Sequence, residues 1–113
     1  FEPMAEMTAG QRQILDQFWT SWIAFGEGGA ADLVYYTHLV SYRCAVARAE
    51  IAFDDGPMKP LALPPCDPAR PGAIPSDLAP YFRAPKGLRA ITVRLTYADG
   101  SHSPERRFER AKP

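Results

Sequence analysis

Between residues 8 and 25 the apolar side chains Ile14, Leu15, Phe18, Trp19, Trp22 and Ile23 recur every three to four positions, with Asp16, Gln17 and Ser21 between them. That spacing lines one stripe of a helix. It predicts a helix over 8–25, with Thr8 as its N-cap and Gly26-Glu27-Gly28-Gly29 as its stop.

The pattern then changes period. Residues 33–44 are rich in β-branched and aromatic types, which favours a strand on propensity. Leu33, Tyr36, Val40 and Cys44 also fit helical spacing, so a helix starting at Asp32 is the competing assignment. Over 46–53, Ala47, Ala49, Ile51 and Phe53 alternate with Arg48 and Glu50. Asp54-Asp55-Gly56 follows as a hairpin turn, and Leu61 and Leu63 mark a return strand that Pro57 and Pro60 assign to an edge. The design recurs at 88–97: Ile91, Val93, Leu95 and Tyr97 face one way, Arg89, Thr92, Arg94 and Thr96 the other. Ala98-Asp99-Gly100 makes that turn, and a polar return strand runs to about Phe108, with Pro104 at an edge position.

These elements predict an α+β domain: an N-terminal amphipathic helix packed on a small antiparallel sheet or Ig-like sandwich of about five strands. At 113 residues the chain is expected to be one domain, 1–113, with a β-rich part over 33–108. Seven of its twelve prolines (64, 65, 68, 71, 75, 80 and 85) crowd one stretch, so 64–86 is expected to be an irregular connection. No apolar run approaches the roughly 18 residues that cross a bilayer, so no transmembrane segment is expected in this chain.

Cys44 and Cys66 are the two cysteines, and a bridge between them would tie the proline-rich loop to the sheet. A processed precursor or a trimmed chain would both open on Phe1. That start, together with an even cysteine count, leans toward an oxidising compartment, hence a periplasmic or secreted protein. Two buried free thiols of a cytosolic protein are the competing reading.

Net charge is zero but unevenly spread. Residues 1–82 hold five Lys/Arg against ten Asp/Glu, and residues 83–113 hold eight against three. Self-neutralisation across the surface is one outcome. The other is a basic face built from Arg89, Arg94, Arg106, Arg107 and Arg110, meeting an acidic protein partner or a second copy of the chain. A neutral protein with one short basic stretch does not carry the charge excess of a nucleic-acid binder, so no nucleic acid is expected.

Catalytic chemistry has little to stand on. There is no Gly-x-Ser-x-Gly elbow, Walker loop or His-Glu-x-x-His. His38 would share a strand face with Tyr36 and Tyr42, a cluster able to hold a ligand or a general base, though a hydrogen-bonded structural histidine explains it as well. His102 falls just past a turn. Two distant histidines and no Cys-x-x-Cys make no zinc site, and neither metal nor cofactor is expected. Trp19 and Trp22 could form a carbohydrate platform, but they lie on the helix stripe, where core packing accounts for them. The favoured expectation is a non-catalytic extracytoplasmic interaction module for a protein or cell-envelope partner. The alternative is a small enzyme or ligand-sensing domain around His38 and its tyrosines.

Overall fold

The computed structural model describes residues 3–110. Helix α1 spans Pro3–Gln17, starting earlier and ending sooner than the 8–25 of the apolar stripe. Proline suits a first helical turn, and Met4, Ala5, Glu6 and Met7 are strong helix formers, so Thr8 lies inside the helix rather than capping it. The chain leaves α1 through a 3₁₀ turn, Trp19–Ser21, and Trp22 folds back so that its Nε1 donates to the Leu15 carbonyl at 3.0 Å. That bond satisfies a carbonyl of the helix's last turn. Trp22 is completely buried, whereas Phe18, expected in the core, is 49% exposed.

The glycines that looked like a helix stop belong to a strand. β1 (Ala24–Gly28) and β2 (Ala31–Tyr35) form a hairpin about Gly29-Ala30, with φ of +75° at Gly29. The run 33–44 is therefore neither one strand nor one helix. It finishes β2, enters the short helix α2 (Thr37–Ser41), and passes through a 3₁₀ turn, Arg43–Ala45.

β3 (Val46–Phe53), β4 (Lys59–Leu61), β6 (Ala90–Tyr97) and β7 (Arg106–Glu109) match the alternation and the two hairpins. They pair antiparallel in the order β4-β3-β6-β7, which leaves Pro60 on an edge strand. Asp54 takes positive φ in the first turn, and its Oδ1 accepts from the Arg89 and Ala90 amides, fixing the start of β6. β5 (Tyr81–Ala84) lies inside the stretch expected to be irregular and completes a second sheet, β1-β2-β5. Among the described residues there are thus seven strands in two antiparallel sheets instead of about five.

Both sheets turn apolar faces to one core, which joins Val34 and Ala84 of the first to Ala49, Ile51, Ile91, Val93 and Leu95 of the second, with Leu15, Trp22, Leu39 and Val40 between. α1 contributes Leu15 to it, fewer residues than its stripe implied, and polar contacts add to its hold: the Tyr97 hydroxyl donates to Asp16, and Arg12 lies 4.2 Å above the Tyr97 ring while reaching Asp99 at 2.8 Å.

The segment from Ala62 to Pro80 has no strand or helix, yet it is pinned throughout. Cys44 is bonded to Cys66, and the Arg43 guanidinium donates to the carbonyls of Pro65 and Ala73. Gln11 of α1 donates to Pro71, and the Tyr36 amide to Pro80. Among the described residues, no helix is long and apolar enough to cross a membrane.

Candidate functional site

Strand register decides where the basic residues go. Arg94 stands opposite Glu50 on the outer face of the four-stranded sheet and donates to it at 2.9 Å. This pair holds the Glu50 carboxyl below its ordinary range and the Arg94 guanidinium above its own. Arg107 shares that face and binds Asp55 at 2.9 Å and Glu109 at 3.3 Å. Arg106, one residue earlier, points to the opposite face, since side chains alternate along a strand. It pairs in register with Val93 and lies 4.6 Å over the Trp19 ring. Arg110 reaches inward to Asp32 at 2.6 Å, and Arg89 is exposed. The five arginines are not gathered into one patch, and four of them are committed to partners within the fold.

Asp32 is the most deeply buried charge in this network. It is 0% exposed, and its Oδ2 accepts from the Gly87 and Leu88 amides while Oδ1 faces Arg110 and, at 3.4 Å, Lys86. The Arg110 bond holds its carboxyl below the usual range against the opposing effect of burial.

The cluster around His38 divides in two. Tyr36 turns into the core against Phe82, where burial raises its hydroxyl pKa. His38 and Tyr42, the residue just past α2, lie with ring centroids 5.2 Å apart and planes inclined at 52°, and the His38 Nε2 is buried with no hydrogen-bond partner among the described residues. Trp22 has no exposed surface, and Trp19 is covered by Phe108 and Arg106, so this pair offers no open platform. No cluster of three or more His, Cys, Asp or Glu suited to a metal occurs among the described residues.

A pair of exposed aromatic side chains lies on the three-stranded sheet, whose strands β1 and β5 sequence reasoning missed. Cross-strand partners share a face, and the register puts Ala24, Gly26 and Gly28 of β1, Ala31, Leu33 and Tyr35 of β2, and Tyr81 and Arg83 of β5 together on the outer side of the three-stranded sheet. Tyr35 and Tyr81 are directly paired, with ring centroids 5.4 Å apart and planes inclined at 50°. Both are more than a third exposed. The glycines make this arrangement possible: a Cβ at Gly26 would come within 2.8 Å of the Tyr35 ring, and one at Gly28 within 2.9 Å of the Leu33 side chain. Tyr35 and Leu33 therefore lie down over bare backbone, as aromatic side chains do when they shield a strand glycine. None of these eight positions is acidic.

One sequence signal marked the hairpin: two short runs separated by Gly29-Ala30. No family model matches the chain, and neither a curated protein nor a solved structure matches it.

Proposed function

We propose that this chain is a non-catalytic interaction module of an oxidising compartment, periplasmic or outside the cell, and that it binds a protein partner through the outer face of its three-stranded sheet. The Tyr35–Tyr81 pair carries this reading. Two large aromatic side chains left in solvent beside Leu33 and Arg83, on a floor of glycine and alanine, combine the residue types that dominate protein-interface energetics. The 50° inclination makes a wedge rather than the flat platform that suits a sugar ring, which favours protein over polysaccharide. Arg83, with no acid at the eight strand positions, selects a partner that presents a carboxylate beside apolar side chains. The Cys44–Cys66 disulfide supports the compartment. The outer face of the other sheet is the weaker candidate, because its arginines are already paired with Glu50, Asp55 and Glu109.

A photo-crosslinking amino acid at position 83 and, as control, at Thr92 on the outer face of the four-stranded sheet tests the proposal in the native host. A single protein adduct from position 83, absent from position 92 and lost on Tyr35→Ala, is the expected result. Equal adducts from both positions would contradict it, as would an adduct only with a second copy of the chain.

A further inference from the structure

The proline-rich segment folds around a cavity of about 450 Å³, lined by Arg43 and by its own Pro64, Cys66, Arg70, Ile74 and Pro75 among others. That volume lies within the range of small-molecule sites. We propose that it binds a small organic acid, its carboxylate held by Arg43 and its apolar body resting against the prolines and Ile74.

Arg43 carries the argument. It is only 4% exposed, yet no carboxylate pairs with it among the described residues. A buried cation without a counter-anion is costly unless its donors are satisfied and its charge is met. Three of its five N–H groups are engaged with carbonyls: Nε to Pro65 at 2.7 Å, and Nη1 to Val40 at 2.9 Å and Ala73 at 2.8 Å. Carbonyl dipoles supply acceptors but no charge, and the two Nη2 donors remain for a ligand. The acid in the lining, Asp67, is otherwise engaged, since its Oδ1 accepts from the Ala69 amide and its Oδ2 lies 3.5 Å from Arg70. The wall therefore holds two cations against one carboxylate, a surplus of one positive charge.

The rest of the wall sets the ligand class. The two N–H groups that remain sit on the single nitrogen Nη2 and diverge, so they hold a carboxylate through one of its oxygens and are too few for a phosphate dianion. Pro64, Pro65, Pro68, Pro75 and Ile74 give the remainder an apolar character. Fixed proline φ angles, the disulfide and the Arg43 bonds preform the cavity, so little ordering would accompany binding. This site is independent of the tyrosine face.

The test is NMR titration of the intact, oxidised chain with sodium hexanoate and, separately, with hexanamide. The Arg43 Hε signal and the Ala73 and Ile74 amides should shift saturably with hexanoate in the millimolar range, and the uncharged amide should bind at least tenfold more weakly. Arg43 also holds the loop, so the decisive variant is Ile74→Glu, which places a carboxylate at a 36% exposed position of the wall. It should weaken hexanoate at least tenfold with the melting temperature unchanged. Shifts that stay linear in concentration, equal responses to acid and amide, or an Ile74→Glu protein that binds as the parent does would overturn the proposal.

Discussion

The side chain of Arg43 donates to the carbonyl of Pro65 across 2.7 Å, and the next residue on each side, Cys44 and Cys66, is joined by the disulfide. Two neighbours thus hold two neighbours, one by hydrogen bond and one covalently, at a sequence separation of 22.

Reduction should destabilise the fold without freeing the loop at once. Closing a loop of this size is worth roughly 3 kcal/mol on the chain-entropy account, a drop in melting temperature of more than about 5 °C. Calorimetry with and without reductant reads the loss. Hydrogen exchange on the reduced protein should still show protection at Ala73, whose amide donates to Arg70 and whose carbonyl is held by Arg43. Two free thiols in non-reduced intact mass would remove the staple from the account.

Trp22 and Phe18 separate a buried from an exposed aromatic on the same apolar stripe. Trp22→Ala removes a fully buried ring packed on Phe108 and the Nε1 bond to Leu15, and should cost about 3–5 kcal/mol in chemical denaturation. Phe18→Ala, at a half-exposed position, should change stability by less than about 1 kcal/mol.

Acid should unfold the protein through its buried carboxylate. Asp32, Asp54, Asp99 and Glu50 all titrate below their ordinary values, Asp32 chiefly through Arg110. A lowered folded value means that the stabilisation is complete above the unfolded value near 3.8 and is lost as pH falls through the folded one. Melting temperature should therefore fall from about pH 4 downward. Asp32→Asn leaves Arg110 and Lys86 facing a neutral group, so it should be less stable at neutral pH and show a shallower acid limb. An unchanged acid limb would remove Asp32 from this role.

Where both faces of an element leave a mark, the pattern was legible. Ile91, Val93, Leu95 and Tyr97 alternate with Thr92, Arg94 and Thr96, and β6 is where that alternation lies. The cysteine pairing followed because there are only two. The stripe from Ile14 to Ile23 overran because a 3₁₀ turn also repeats every three residues, so Trp19 and Trp22 kept the spacing after the helix had ended. β1 was hidden by Gly26 and Gly28, which have no side chains to show alternation, and β5 by Pro80 and Pro85 at its flanks. The tyrosine face depends on both hidden strands. The partners of the arginines, Glu50 for Arg94 and Asp32 for Arg110, lie far away in the chain and follow only from sheet register.

The most direct measurement is the dissociation constant of the partner captured at position 83, compared between the parent chain, Tyr81→Ala and Arg94→Ala. The account predicts at least tenfold weaker binding for Tyr81→Ala, about 1.4 kcal/mol or more, with its melting temperature close to that of the parent. Arg94→Ala, on the outer face of the other sheet, should bind as the parent does. Unaltered binding by Tyr81→Ala together with loss of binding by Arg94→Ala would contradict it and move the contact surface to the charged sheet.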